Sequence, residues 1–247
     1  VDDRRRLLED PSIQLVTCAA IPCERADLAI EAMRHGKDFM VDKPGLTTFE
    51  QLARLRQVQA ETGRIFSVDF TERFEVRATT RAGELVQAGA IGKVVHTTGL
   101  GPHRLNRHTR PPWFFKRAAY GGILIDIASH QFDQFLFFTG STDAEITAAR
   151  VANVAHPEDP ELEDLGEVML RSEHASGYFR VDWFTPDGLP TWGDGRLTIL
   201  GTEGYIELRK YVDLAGRPGT DHLFLVDGKG VRHVDCSDCD LPYYRNL

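Results

Sequence analysis

The sequence predicts an α/β protein in which the second half of a parallel sheet precedes an α+β domain with a mainly antiparallel sheet. Strand-like and helix-like segments alternate up to about residue 70, as is typical of a parallel sheet. Beyond residue 140, several strand-like runs follow one another without helices between them, which favours an antiparallel sheet. No G-x-G-x-x-G turn occurs, although a complete dinucleotide-binding sheet normally begins with one.

Composition limits the classes of partner. The formal net charge of -8 and the pI near 5.6 argue against nucleic acid and anionic membranes, because phosphate binding requires an excess of Lys and Arg. No apolar run reaches the ~18 residues that span a bilayer. Cys236-Ser-Asp-Cys239 has the C-x-x-C spacing, but structural zinc normally needs a second pair of Cys or His ligands at a suitable distance, which the sequence lacks. We therefore expect a reduced, cytoplasmic protein without a metal site.

The first part of the chain predicts three buried strands and two crossover helices. Residues 1–10 resemble the end of a helix that Pro11 interrupts. Apolar runs without alternation indicate strands covered on both faces, and periodic segments that end at glycines indicate the helices. The strands are predicted at residues 13–21, 38–42 and 64–70, and the helices at residues 24–35 and 47–62. A capping box of Thr47 with Glu50 opens the second helix, and Gly63 ends it.

The second part of the chain predicts a linking helix, one strand, a loop, a buried helix and a series of strands. The linking helix covers residues 75–88 and the first strand residues 93–101, before a basic, Pro-rich loop at residues 103–112. Further strands are predicted at residues 145–151, 166–171, 177–184, 196–200, 205–209, 222–226 and 231–234. We place the domain boundary after residue 72, which gives domains of residues 1–72 and 73–247.

The buried helix carries charge on one face. Residues 121–138 form an apolar segment that Gly140 ends, and Asp126, His130 and Asp133 lie at i, i+4 and i+7 on it. Burying such groups without partners would cost roughly several kcal/mol. Two interpretations stay open, a satisfied core network in which Asp126 holds His130 and a ligand site.

A second polar group follows a predicted strand. Asp42-Lys43-Pro44 lies at the carboxyl end of the strand, where open parallel sheets bind their ligands. Pro44 favours an extended backbone at Lys43, so the ammonium can point into the crevice. With Asp126 and His130 from the buried helix, Lys43 would complete a site suited to alcohol oxidation.

These motifs resemble the Gfo/Idh/MocA oxidoreductases over nearly the whole chain. That family combines Glu-Lys-Pro with a later Gly-Gly-x-x-x-Asp-x-Gly-x-His-x-x-Asp motif, which correspond here to residues 42–44 and 121–133. The resemblance implies an N-terminal Rossmann domain for NAD or NADP. It also implies a C-terminal α+β domain whose sheet forms homo-oligomers. The chain would then begin about two strands into the Rossmann domain, and we expect it to be incomplete at both ends.

The resemblance also implies the cofactor-side residues, which we expect to be Ala20, Pro22, Asp42, Lys43 and Thr71. Several positions depart from the family pattern. Asp42 replaces the motif's Glu, and Ala128 replaces a Gly. The family's Thr-Pro-Asn-x-x-His corresponds to residues 20–25, and its Asn-Arg-Arg-Phe to residues 71–74, so the usual cofactor-side hydroxyl and amide are missing at residues 20–25.

The implied reaction is hydride transfer from a secondary alcohol of a sugar, polyol or cyclitol to the nicotinamide. His130 suits the general base because imidazole titrates near neutral pH. Lys43 would stabilise the developing alkoxide, and Asp126 would bind a neighbouring hydroxyl and orient His130.

The substrate side and the reaction class leave alternatives. The loop before the helix offers Arg104, Asn106, His108 and Trp113 for gripping a polyol or a sugar acid, although a solvated basic loop is an equal alternative. Asp133 is expected to be structural, as a partner of a backbone group or an Arg. Two other functions stay open, a lyase or glycosidase that oxidises its substrate transiently and a non-catalytic nucleotide-binding relative.

Overall fold

The N-terminal part of the chain is a three-stranded parallel sheet. The computed structural model describes residues 3–241. The sheet has the order β1-β2-β3, and a helix lies between each pair of consecutive strands. The elements are α1 (Arg5–Leu8), β1 (Leu15–Cys18), α2 (Arg25–Arg34), β2 (Asp38–Asp42), α3 (Phe49–Thr62) and β3 (Phe66–Asp69). This confirms the predicted half of a Rossmann-type sheet.

Two helices connect this sheet to the second one. α4 (Thr71–Phe74) follows β3 directly, and α5 (Arg77–Gln87) covers the predicted linking helix. α5 packs its apolar face on the second sheet, where its alanines contact a core that includes Leu208 and Leu223. The assignment of a boundary after residue 72 stays a prediction.

The second sheet has eight strands in the order β11-β10-β9-β8-β4-β7-β6-β5. Every predicted strand is present within about two residues. The strands are β4 (Val94–Pro102), β5 (Glu145–Ala152), β6 (Leu165–Arg171), β7 (Ser176–Asp182), β8 (Arg196–Gly201), β9 (Gly204–Arg209), β10 (His222–Asp227) and β11 (Gly230–Val234). Neighbouring strands are antiparallel except β4 and β7, which run parallel. The sheet is therefore mixed and mainly antiparallel.

One face of this sheet forms the core, and the other face is open. Burial alternates along the inner strands, as expected where one face of a sheet is covered. The covered face packs against α5 and the helices of residues 123–139. Gly99 on β4 allows the closest approach of these helices, because a Cβ there would lie 2.1 Å from Oε1 of Gln131.

The segment between β4 and β5 corrects the prediction of a single helix over residues 121–138. It contains 3-10 turns at Arg107–Thr109 and Pro112–Phe115, followed by α6 (Arg117–Tyr120), α7 (Ile123–Asp126) and α8 (Ala128–Thr139). The helix is interrupted at Ile127, so Asp126 ends one helix while His130 and Asp133 belong to the next. Gly140 ends α8 in the left-handed conformation, as predicted.

The capping box of α3 was also predicted one residue too early. Thr48, not Thr47, accepts from the backbone of Gln51, and the Gln51 side chain accepts from the Thr48 N–H. Gly63 ends the helix with positive φ, as predicted. Among residues 3–241, no helix combines the length and apolar character needed to cross a bilayer.

Candidate active site

The residues expected on the cofactor side lie at the carboxyl edge of the parallel sheet. Ala20 and Pro22 follow β1, Asp42 and Lys43 stand at the end of β2, and Thr71 follows β3. Dinucleotides bind at this edge in open parallel sheets. The residues therefore fit the position of a nicotinamide cofactor, although only Pro22, Asp42 and Lys43 line the cavity described below.

Buried Arg25 fixes the loop that carries Lys43. Its guanidinium donates to the carbonyl oxygens of Ala20, Asp42 and Pro44, each at 2.7 Å. Burial lowers the pKa of Arg25, and the Asp42 carboxylate opposes that shift. The Lys43–Pro44 peptide bond is cis. The backbone on both sides of Lys43 is thus held by one cation.

Lys43 and Asp126 meet where the two sheets adjoin. The Lys43 ammonium donates to Oδ1 of Asp126 at 2.8 Å, and the two side chains are 19% and 14% exposed. The pair therefore remains accessible from solvent. Of the two motif residues expected beside Lys43, Asp126 contacts it and His130 makes no hydrogen bond with it.

The double glycine before Asp126 explains how α7 reaches this position. Gly121 and Gly122 have φ of 92° and 98°, in the region that favours glycine. A Cβ on Gly122 would lie 2.6 Å from Oε2 of Glu163, the oxygen that accepts from the Ile123 backbone N–H at 2.8 Å. A Cβ on Gly121 would lie 3.0 Å from the Thr47 side chain. Larger residues would push α7 away from both neighbours.

His130 lies in α8 and is buried. None of its ring nitrogens makes a hydrogen bond within residues 3–241, and its enclosed Nδ1 is unpartnered. The ring contacts Phe70 edge to face. Burial lowers the pKa of His130 to about 3, while the Glu72 carboxylate opposes the shift and Lys43 adds to it. The expectation that Asp126 orients His130 is not met, because the interruption at Ile127 directs Asp126 to Lys43.

Asp133 pairs with an arginine from the domain junction. Nε of Arg73 donates to Oδ2 of Asp133 at 2.6 Å, and both side chains are largely buried. The Arg73 guanidinium also lies 4.0 Å from the ring centroid of Phe74. This agrees with the structural role expected for Asp133, as a partner of an Arg.

A second ion pair, which the sequence did not indicate, lies fully buried next to His130. Lys210 donates to Oε2 of Glu72 at 2.5 Å and to the Gln134 side chain at 2.6 Å. Gln134 and Gln131 both donate to the same Glu72 oxygen at 3.3 Å. Burial alone would raise the pKa of Glu72, but the Lys210 charge holds it well below its usual value. Gln134 also donates to the His130 carbonyl at 2.8 Å, which links the network to α8.

A cavity of about 250 Å³ opens at the Lys43–Asp126 pair. Trp113 lines it, as expected for a substrate-side residue. Arg104, His108 and the predicted base His130 do not line it. Arg104 donates to backbone carbonyls of residues 186–189, and His108 is exposed. A larger groove nearby, of about 510 Å³, has an almost entirely apolar lining and lacks the pair.

Three further wall residues were missed from the sequence as site residues. They are His103, Arg110 and Trp183. The His103 and Trp183 rings lie 5.4 Å apart, and the Arg110 guanidinium is 5.3 Å from the Trp183 ring. His103 and Arg110 lie in a loop without periodicity, and Trp183 lies just beyond the end of β7. The sequence pattern therefore does not predict where these side chains point.

Within residues 3–241, one ring nitrogen of His103 has no hydrogen-bond partner. Its Nδ1 lies 3.1 Å from the carbonyl oxygen of Gly101, which can only accept, so Nδ1 carries the proton and Nε2 is left as an acceptor. Burial lowers the pKa of His103, and the charge on Lys43 adds to that effect. The wall therefore offers an ammonium donor, a carboxylate and a neutral imidazole.

Comparison with known proteins gives two family matches. Residues 1–70 match the model described as "Oxidoreductase family, NAD-binding Rossmann fold". Residues 79–207 match the model of the GFO/IDH/MocA C-terminal domain. The first match identifies the parallel sheet as part of an NAD-binding Rossmann domain, in line with the cofactor that the motifs predicted.

Relatives and solved structures agree with these matches. The chain is 30% identical over 239 residues to scyllo-inositol 2-dehydrogenase (NAD(+)) of Bacillus subtilis, covering 93% of this chain and 63% of that enzyme. The crystal structure of a candidate oxidoreductase from Erwinia carotovora atroseptica is 52% identical in sequence to this chain. It superposes with a TM-score of 0.95 and covers 98% of this chain and 73% of its own. Levoglucosan dehydrogenase in complex with NADH has the same fold, with a TM-score of 0.78 at 22% sequence identity. The match covers 94% of this chain and 63% of that enzyme.

Proposed function

The chain belongs to the GFO/IDH/MocA oxidoreductase family, and from this premise we propose that the whole protein is an NAD-dependent dehydrogenase of sugars, polyols or cyclitols. The observation that carries the proposal is the Lys43–Asp126 pair, 2.8 Å apart on the wall of a cavity at the sheet edge. The inositol and levoglucosan dehydrogenases among the relatives support the substrate class.

Lys43 binds the alcohol that is oxidised. Its ammonium donates a hydrogen bond to the substrate oxygen and stabilises the negative charge that develops there as the carbonyl forms. Asp126 keeps the ammonium in position and accepts a hydrogen bond from a neighbouring hydroxyl. The two roles are compatible because an ammonium has three donors and its partner occupies one of them.

His130 accepts the hydroxyl proton. Burial lowers the pKa of its ring to about 3, below the near-neutral value expected from the sequence, so the imidazole is neutral at working pH, and its Nδ1 has no hydrogen-bond partner within residues 3–241. The alcohol carbon loses a hydride and the oxygen loses a proton, so the substrate becomes a ketone or lactone. His103, whose Nε2 is an acceptor on the cavity wall, positions the substrate.

The residues that would hold the NAD cofactor lie at the carboxyl ends of the parallel strands. Pro22, Asp42 and Lys43 line the cavity there, and Ala20 and Thr71 lie at the ends of the neighbouring strands. When bound, the nicotinamide ring supplies the hydride acceptor. Arg25 contributes indirectly, because it holds the loop of Asp42 and Lys43 rigid.

Kinetics on the full-length protein test the roles of the two histidines. We expect His130→Ala to lower kcat by roughly 10²–10⁴-fold with little change in NAD affinity, because a general base is lost. His103→Asn should raise KM more than it lowers kcat. If His130→Ala leaves turnover unaltered and His103→Asn abolishes activity, the general base is His103 and not His130.

Product analysis separates the remaining functions. A dehydrogenase accumulates NADH in proportion to the alcohol consumed, whereas a lyase or glycosidase that oxidises transiently returns the hydride and accumulates none. A non-catalytic relative would bind NAD without converting any alcohol in a panel of sugars and inositols. Stoichiometric NADH formation is the result that the proposal requires.

The open face of the large sheet supports a homo-oligomer. Large apolar side chains are exposed on this face, namely Met169, Leu200, Tyr205 and Val231. Exposed apolar patches of this kind mark interaction surfaces in many proteins. We expect light scattering on the full-length protein to give an oligomer and Met169→Glu to shift it towards the monomer.

A further inference from the structure

The charged groups on the cavity wall do not balance. Among residues 3–241, three cations line the cavity, Arg25, Lys43 and Arg110, against two carboxylates, Asp42 and Asp126. His103 also lines it, but burial lowers its pKa and keeps the ring neutral. The wall therefore carries one more positive than negative charge.

Two of the three cations already have partners. Arg25 donates to three carbonyl oxygens and has Oδ2 of Asp42 at 3.8 Å. Lys43 has Asp126 at 2.8 Å. The charged groups behind the wall are also matched, because Lys210 pairs with Glu72. The excess charge thus belongs to one residue.

That residue is Arg110. Within residues 3–241, no carboxylate forms an ion pair with it, and its one hydrogen bond runs from Nε to the carbonyl oxygen of Leu105 at 2.8 Å. The guanidinium lies 4.5 Å from the Phe114 ring centroid and 5.3 Å from that of Trp183. Aromatic contacts use the faces of the planar group and leave its terminal N–H groups free at the edge.

Arg110 also lies close to the proposed reaction centre. Arg110 and Asp126 line the same cavity, where burial lowers the pKa of the guanidinium and the Asp126 carboxylate opposes that shift. A charge interacts more strongly there than in water, and the planar fork of an arginine matches a carboxylate with two parallel hydrogen bonds. One small molecule can therefore touch Arg110 and the Lys43–Asp126 pair at once.

We propose that the substrate is a polyhydroxylated monocarboxylate of the sugar-acid class, whose carboxylate binds Arg110 while its secondary alcohol lies at Lys43 and Asp126. This rests on the proposed dehydrogenase function and narrows its substrate class. A neutral sugar would leave Arg110 without a counter-charge in the cavity. Arg110 is then a specificity-determining residue, and the proton and hydride leave from the alcohol as described above.

The test compares acid and neutral sugars in matched pairs. NADH formation by the full-length protein is measured with D-glucuronate against D-glucose, D-galacturonate against D-galactose, and scyllo-inositol. We expect the acids to be preferred and Arg110→Gln to lower their kcat/KM by about 10- to 100-fold, as for loss of a charged hydrogen bond, with the neutral compounds little changed. Arg107→Gln is the matched control, since Arg107 lies on the same loop but is exposed and paired with Asp159.

Calorimetry gives a readout that does not depend on turnover. D-Glucuronate, D-galacturonate and D-gluconate are titrated into the NADH-loaded protein and its Arg110→Gln variant. Binding that Arg110→Gln abolishes supports the inference even if no sugar reduces NAD, in which case the dehydrogenase proposal alone fails. Preferred use of the neutral compounds, no binding of any acid, or loss of NADH affinity in Arg110→Gln would overturn it.

Discussion

Two lysine–carboxylate pairs connect the parallel sheet's side of the molecule to the second domain, and they differ in access to solvent. Lys43 and Asp126 lie on the cavity wall and keep 19% and 14% of their side-chain surface exposed. Lys210 and Glu72 lie beside His130 and keep 0% and 3%. The first pair shares few contacts, whereas the second is enclosed by two glutamines.

This difference in exposure distinguishes a pair that can act on the substrate from a pair that stabilises the fold. An ion pair in contact with the cavity can exchange one hydrogen bond for a substrate oxygen at low cost. A buried pair cannot, because removing either partner leaves an uncompensated charge in a medium of low dielectric. We infer that Lys43 and Asp126 act on the substrate, while Lys210 and Glu72 fix α8 and with it His130.

The largest expected effect on stability comes from the buried pair. Lys210→Met should lower the free energy of unfolding of the full-length protein by about 3–5 kcal/mol, because Glu72 then remains buried and charged without a counter-charge. Adding Glu72→Gln should recover much of this loss. As a control, Arg171→Met breaks the exposed pair with Glu145 and should cost less than about 1 kcal/mol in denaturant unfolding. Equal losses at the two sites would remove the distinction.

The glycine before α7 should give an intermediate effect. Gly122→Ala adds strain at φ 98° and a contact with Glu163, so we expect a loss of about 1–3 kcal/mol. Gly36→Ala is the matched control, because Gly36 also has positive φ but has nothing within 4 Å of an added Cβ. A larger loss for Gly36→Ala in thermal unfolding would show that the Glu163 contact does not matter.

The remaining expected effect is a dependence of stability on pH that arises from His130. Its pKa in the folded protein is about 3, below the ordinary 6.5, so the unfolded chain binds the proton first as pH falls. The contribution of this group to the free energy of unfolding is therefore fully present above pH 6.5 and is lost as pH falls, by up to about 1.4 kcal/mol per pH unit. His130→Phe should flatten the curve between pH 6.5 and 4. If stability depends on pH in the same way in both proteins, the pKa of His130 is not lowered in the folded protein.

Local signals in the sequence predicted most of the architecture. The apolar runs and the glycine stops located β1 to β3 and their helices, because burial on both faces and helix ends depend on neighbouring residues. The pairing of β4 with β7 was not predictable in this way, since the partners lie about 80 residues apart. The interruption at Ile127 was missed because the hydrophobic pattern continues through it.

The sequence predicted only those residues of the candidate site that belong to recognisable motifs. Lys43 and Asp126 were found because each lies in a recognisable motif. Arg110 was missed because it lies in a loop without periodicity, and the Lys210–Glu72 contact joins residues 138 positions apart. Such groups become visible only when the chain is folded, because their function depends on which side chains surround them.

The central claim is that the cavity pair performs the chemistry, and Lys43→Met in the full-length protein tests it most directly. Turnover with NAD and the free energy of unfolding are measured on the same sample. The expected result is a loss of roughly 10²–10³-fold or more in kcat/KM, with stability changed by less than about 1 kcal/mol. Unchanged turnover in Lys43→Met, with or without a change in stability, would contradict the account.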